Sequence, residues 1–343
     1  MAYTFKNTEI NNEKASNFET KSLLYLIGKR SDSKEIEYVT FDCFNDVSGI
    51  NKKFNQIWDV QSKNEKSINP KKIGKYFYTL FDNYISSITL SFKEFIFFAP
   101  IINYEYKIDV NLNTYSLVNI KFETLTRIKN GLIEEVIRVK GDAIDYKLEI
   151  DEFLKIVTIV EDCYSENEYI KAITKFKKTE LKTDEFYKSI FVDLRNIQTN
   201  KKNSCIENNT IIDISEVLVF QRHLSVKDID LLVISRIIGC DVFNYVSIPL
   251  YFSPVIDKLS FEDKKDVLLD CNSNLSRAFF NKNNNKGFWL ICEKIISYFS
   301  NNDNRDVETV YCEIFKPNSV RISFLTDITI KYLISIIIEG LEW

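Results

Sequence analysis

Residues 44–63 read Phe44-Asn45-Asp46-Val47-Ser48-Gly49-Ile50-Asn51-Lys52-Lys53-Phe54-Asn55-Gln56-Ile57-Trp58-Asp59-Val60-Gln61-Ser62-Lys63, and the fold turns on this stretch. The Val-, Ile- and aromatic-rich residues Ile36 to Phe44 predict a strand that ends just before Asp46, and Gln56 to Ser62 predict a second. Side chains alternate across a strand, so Asp59, Gln61 and Lys63 share one face, and Trp58, Val60 and Ser62 the other. Ser48 to Asn55 contains Gly49 and reads as a connection that lets the two strands pair as neighbours. Asp46 would then lie beside Gln61 and Lys63.

Before this stretch, Glu13 to about Arg30 has helical spacing, with apolar Ala15, Phe18, Leu23, Leu24 and Ile27 and no proline. After it, Asn69-Pro70 marks the start of a helix running from Lys71 to about Tyr84. Ile88 to Phe98 is an almost continuous apolar run closed by Pro100, which fits a strand covered on both faces. The order helix, strand, strand, helix, strand predicts an α/β core, a mixed sheet flanked by helices. Ile156 to Val160 reads as a further strand, and Ser165 with Glu168 as a capping box that opens a helix to Lys178. The polar segment Thr199 to Ser204 is the expected boundary between a first domain of residues 1–200 and a second of residues 205–343. The second is expected to be α+β, with a β-like Val310 to Phe315.

Composition narrows the chemistry. At 343 residues the chain suits two domains, since domains run to roughly 100–200 residues. Its 45 Lys+Arg against 49 Asp+Glu exclude a global polycation, so any nucleic-acid surface must be local. A single histidine, His223, leaves no His pair for a zinc protease, and no nucleophile signature stands beside it. Seven cysteines without CxxC spacing read as buried thiols of a reducing compartment. The N-terminal residues lack the apolar run of a signal peptide, and Tyr332 to Ile338 falls short of the ~20 residues of a membrane span, so a cytoplasmic protein without membrane contact is expected.

Asp46, Gln61 and Lys63 suit metal-assisted phosphodiester hydrolysis. Mg²⁺ takes oxygen ligands and keeps several waters, so one carboxylate, an amide oxygen and a backbone carbonyl can hold it. A neighbouring lysine can orient water or offset charge on the phosphorane. Gln61 where an acid would be stronger weakens metal affinity unless another carboxylate joins. Glu19 is the candidate: it lies along the apolar stripe of the first helix, where it needs a cation or a metal nearby, unless it sits at the stripe's edge and points into water. Taken alone, an Asp followed after 14 residues by QxK is weak, because a charged strand edge is the ordinary reason for alternating polar residues.

With the order of elements around it, the chain resembles the restriction-endonuclease-like, or PD-(D/E)xK, superfamily. Within it, the chain resembles the double-stranded-DNA endonuclease effector domain of CBASS, Lamassu-like and related bacterial antiphage systems. The likeness rests on Phe18-Glu19, Asn45-Asp46-Val47, Val60-Gln61-Ser62-Lys63 and the strand ending Phe95-Ile96-Phe97-Phe98, with a fainter echo at Glu152 to Ile156. It covers roughly the first 200 residues. It implies catalytic roles for Glu19, Asp46, Gln61 and Lys63, with Glu19, Asp46 and Gln61 holding Mg²⁺ (or Mn²⁺). Ser62, at the middle of QxK, is expected to face away from the site. Control of such an enzyme implies self-association, or a partner such as a co-encoded ATPase or sensor subunit; the alternative is a catalytically inactive nuclease-fold subunit.

Double-stranded DNA needs cations near the site. Between Lys52 and Lys75 there are seven lysines and two acids, a local net of +5. Lys52, Lys53, Lys66, Lys71, Lys72 and Lys75 are the candidate phosphate contacts, with the helix start near Pro70 adding N–H donors. A solvated lysine-rich face is the plainer explanation of the same residues. The apolar Ile328 to Trp343 segment reads as a core helix or as part of an interface.

Overall fold

The structure is a computed structural model that describes residues 2–6, 17–178, 180–202, 205–243, 245, 247–315 and 322–341. Nine strands are described: β1 (Tyr3–Thr4), β2 (Ile36–Phe41), β3 (Val47–Asn51), β4 (Ile57–Ser62), β5 (Phe92–Pro100), β6 (Thr114–Ser116), β7 (Val157–Asp162), β8 (Thr210–Ile211) and β9 (His223–Ser225). The α-helices are α1 (Asn17–Leu24), α2 (Pro70–Tyr76), α3 (Tyr78–Tyr84), α4 (Phe122–Lys140), α5 (Lys147–Ile156), α6 (Glu166–Ile173), α7 (Asp184–Lys201), α8 (Val226–Ile238), α9 (Phe261–Phe280), α10 (Asn285–Phe299), α11 (Val307–Ile314) and α12 (Asp327–Leu341). Seven strands make one mixed sheet in the order β6-β7-β5-β4-β3-β2-β9. Strands β2, β3 and β4 form an antiparallel meander, and β4, β5 and β7 run parallel.

Pairing shows which helix covers which face. Phe98 lies beside Ser62, and its ring meets Phe18 of α1 at 4.9 Å. Phe97 lies beside Gln61, and its ring meets Phe77, between α2 and α3, at 5.2 Å. Helix α1 therefore covers the Ser62 face and α2–α3 the Gln61 face. Every residue of β4 is buried, as a central strand with two covered faces requires. Helix α2 starts where its sequence dictates: the Asn69 side chain accepts from the Lys72 N–H, and Pro70 takes the first turn. It then packs backbone to backbone on α4, because a Cβ at Gly74 would lie 1.9 Å from the Ile128 carbonyl oxygen and one at Gly131 2.0 Å from that of Lys71.

Several sequence expectations change. Residues 13–16 of the first predicted helix lie outside the described residues; α1, Asn17–Leu24, continues as a wider π-turn, Tyr25–Lys29. The first strand stops at Phe41, and Asp42 adopts a left-handed φ of 48° that opens the turn to Asp46. Ser48 to Asn55 is not simply a connection: Val47–Asn51 forms β3 and separates β2 from β4. Gly49 and Ser48 read as turn residues, but burial of Val47 and Ile50 makes them strand. Residue 77 divides the helix expected to run to Tyr84, and the long apolar strand begins at Phe92, after a 3₁₀ turn at Thr89–Ser91. The helix expected to reach Lys178 ends at Ile173.

The chain divides into two compact units. One takes Met1–Ile173 and Phe191–Val226, the other Thr174–Ile190 and Lys227–Trp343. Thr199 to Lys201, in the segment expected as a linker, are the last residues of α7. The second unit contains helices and no strand among its described residues; β8 and β9, which fall within residues 205–343 expected to be α+β, belong to the first unit. Val310 to Ile314 belong to α11, because Asp306 caps the helix by accepting from the Thr309 N–H at 2.9 Å, which overrides the β-branched run. Ile330 and Tyr332 to Ile338 of α12 are buried, so this apolar segment is a core helix. The cysteines are free, and Cys163, Cys205 and Cys312 are exposed instead of buried. Among the described residues no helix is long and apolar enough to cross a membrane.

Candidate functional site

Asp46 ends the β2–β3 turn opposite the end of β4. Its Oδ2 accepts from the Gln61 Nε2, the Ser62 N–H and the Ser62 Oγ, each at 2.8 Å. Ser62 therefore takes part in the site instead of facing away from it. Asp46 lies just beyond the paired strand, where the alternation of faces no longer decides what it can reach. Gln61 also accepts from Thr79 Oγ of α3 at 2.5 Å, and its Nε2 lies 3.5 Å from the Ser62 carbonyl oxygen. Among the described residues, no hydrogen bond reaches Asp46 Oδ1.

Gln61 and Lys63 line an open groove of about 610 Å³, walled by Lys75, Tyr76, Tyr78 and Thr79 and by Glu135, Arg138 and Val139 of α4. The Lys63 Nζ lies 5.6 Å from the Tyr76 ring centroid and makes no ion pair among the described residues. The loop from β4 to α2 is tied down at Glu65, which receives Lys72 Nζ at 2.5 Å and Tyr76 Oη at 2.6 Å.

Asp59, on the same face as Gln61, is fully buried. It accepts from Ser48 Oγ at 2.9 Å, Asn83 Nδ2 at 2.8 Å and Asn45 Nδ2 at 2.5 Å. Burial pushes its carboxyl up to about 7 despite these donors, and Asp46 adds to the rise. Glu19 lies on α1, the helix over the opposite face. Its Oε2 meets Lys202 Nζ at 2.5 Å, and the same ammonium meets Asp42 Oδ2 at 2.9 Å. Burial raises the Glu19 carboxyl to about 7 against the pull of Lys202, and the neighbouring charges of Asp46 and Asp42 contribute.

Of the four expected catalytic residues, Gln61 and Lys63 line the groove. Asp46 and Gln61 are bonded, Lys63 shares the groove with Gln61, and Glu19 is the electrostatic neighbour of Asp46 from the other face. Lys202 and Ser62 are partners that the sequence reading missed; Lys202 lies within the polar segment Thr199 to Ser204 taken for a domain boundary. The basic candidates also separate. Lys52 and Lys53 occupy the β3–β4 turn, a strand length from Lys63, ~20 Å for six residues. Lys71 pairs with Glu134 and Lys72 with Glu65, while Lys75 lines the groove and Lys66 is exposed.

Hard oxygen donors gather at this point: the Asp46 carboxylate, the Ser62 carbonyl and, after a half-turn of its amide, the Gln61 oxygen. Such a set fits Mg²⁺, which binds through few protein ligands and retains water. It is not a preformed cage, since among the described residues no group of three or more His, Cys, Asp or Glu is placed to hold a metal. No family model matches the chain, and neither the curated proteins nor the solved structures include a match to it.

Proposed function

We propose that the chain is a Mg²⁺-dependent double-stranded DNA endonuclease, an effector of bacterial antiphage defence held in check by self-association or by a partner ATPase or sensor subunit. The observation that carries the hydrolytic part is the Asp46–Gln61 pair at the end of β4, with Lys63 two residues on in a groove edged by Lys75 and Arg138. The restriction-endonuclease-like fold is supported by α1, the β2–β3–β4 meander, α2–α3 and then parallel β5, an order that keeps the expected helix, strands, helix and strand and adds β3. The place in antiphage defence rests on the sequence resemblance alone.

In this reading Asp46, Gln61 and the Ser62 carbonyl would hold the ion, which would supply polarisation of a phosphate oxygen and an acidified water. Lys63 offsets the charge that gathers on the phosphate. Lys75 holds backbone phosphates without regard to sequence, while Arg138 beside it is paired with Glu135 at 2.6 Å. The two Ser62 donors fix Asp46, and the Thr79 hydroxyl, which donates to the Gln61 oxygen, can accept from the Gln61 NH₂ once the amide has made its half-turn.

One observation favours a second reading, a nuclease-fold subunit that binds DNA or a partner without cutting. Gln61 already donates its amide to Asp46 and accepts from Thr79, which satisfies the pair without any ion. Incubation of purified chain with supercoiled plasmid and with duplex RNA, in Mg²⁺ and in EDTA, separates the readings. Nicking or linearisation of the plasmid in Mg²⁺ alone is the expected result. RNA cleavage alone would move the substrate class, and inactivity on both, with any co-encoded partner present, would favour the binding subunit.

A further inference from the structure

Lys202 is buried with only 3% of its side chain exposed, yet it carries a charge between two carboxylates. Its ammonium lies 2.5 Å from Glu19 Oε2 and 2.9 Å from Asp42 Oδ2. Its carbonyl accepts from the Arg222 guanidinium at 2.9 Å, and Arg222 also reaches the Asp42 carbonyl at 3.4 Å. Asp42 is held at φ 48°, a conformation that only a few non-glycine residues take up, and its N–H donates to the carbonyl of Asp46 at 3.2 Å. The strained turn that carries Asp46 is thus pinned by two cations: Arg222 on its backbone and, at 3.9 Å, on the Asp42 carboxylate, and Lys202 on that carboxylate at 2.9 Å. Two carboxylates beside a third would repel one another without a cation between them.

We infer that Lys202 is a fixed internal counter-ion that commits Glu19 and Asp42 to an ammonium, leaving Asp46 as the carboxylate open to a divalent ion. Lys202 is a positioning residue: it holds Glu19 and Asp42 and offsets their charge beside Asp46. The inference rests on the reading of Asp46 as a metal ligand, and it reverses the role that the sequence resemblance implied for Glu19. It also accounts for a burial of Glu19 that no solvent-facing carboxylate would need.

The test is Mn²⁺ binding to the full chain without DNA, followed by the electron paramagnetic resonance of the free ion. Glu19→Gln is expected to bind Mn²⁺ within about twofold of wild type, and Lys202→Met to gain affinity of about tenfold, because loss of the ammonium leaves more negative charge beside Asp46. The gain should vanish in Lys202→Met/Glu19→Gln/Asp42→Asn. Loss of binding in Glu19→Gln, or a folded Lys202→Met that binds like wild type, would overturn the inference. Asp46→Asn serves the other purpose: if it binds as well as wild type, the metal reading of Asp46 fails, whereas a gain in Lys202→Met still upholds the role of Lys202. Thermal melting covers a Lys202→Met chain that does not fold. Recovery in the triple variant supports the pairing, and a triple variant as unstable as the single one contradicts it.

Discussion

Asp59 faces three donors and no cation, so its two oxygens are filled by Asn45, Asn83 and Ser48. Asp59→Asn replaces an acceptor by an NH₂ group aimed at a donor, leaving buried groups without partners. A loss of about 2–3 kcal/mol is expected in urea unfolding at pH 8, with an unchanged denaturant slope. The Asp46, Gln61 and Lys63 spacing was legible in the sequence because strand alternation and the order of elements select it. Ser62 was not legible: alternation sends its side chain to the other face, yet Asp46 lies beyond the strand end and takes both its N–H and its hydroxyl. Nor was Lys202, whose partners Glu19 and Asp42 lie far from it in sequence, so that only the folded chain brings them together. For Glu19 the sequence allowed two readings, a stripe carboxylate in need of a cation or an edge residue pointing into water; the structure sets it against the Lys202 ammonium.

At the scale of elements, the groove depends on how closely α2 approaches α4. Gly74 and Gly131 permit that approach, and a methyl group at either would strike backbone, which cannot swing aside as a side chain does. Gly131→Ala is expected to destabilise the first unit by about 2–4 kcal/mol through forced separation of the helices, read as a lower midpoint in thermal or urea unfolding. A midpoint equal to wild type would mean that the two helices are not in contact at this point. Helix and strand identity were readable where the pattern was long and capped, as at Asn69-Pro70. The pattern failed at β3, a short strand carrying Ser48 and Gly49, and at α11, where the Asp306 cap outweighs the apolar run. Both are cases in which local chemistry speaks for two structures and burial or capping decides.

Across the whole molecule, the buried carboxylates set a dependence of stability on pH. Asp59 and Glu19 keep their protons up to about 7 when folded, well above the unfolded carboxylate range. The native chain therefore binds protons that the unfolded chain has released, and their contribution is full at low pH and is lost as pH rises from about 4 to 7. Asp32 acts in the opposite sense. Burial pushes it up, but hydrogen bonds from Arg30 and Trp58 outweigh that and bring it down to about 2, so its contribution is lost as pH falls from about 4 to 2. Urea midpoints taken across pH should show the Asp59 part of the upper slope vanish in Asp59→Asn; an unaltered slope would remove Asp59 from this account.

The central claim is that Lys63, two residues after Gln61 and in the same groove, serves phosphodiester cleavage at Asp46. Cleavage of supercoiled plasmid in Mg²⁺ by wild type and by Lys63→Ala, each with its circular dichroism spectrum recorded, tests it most directly. The account predicts a loss of about 100-fold or more in the variant with the fold retained; equal cutting by both proteins would contradict it.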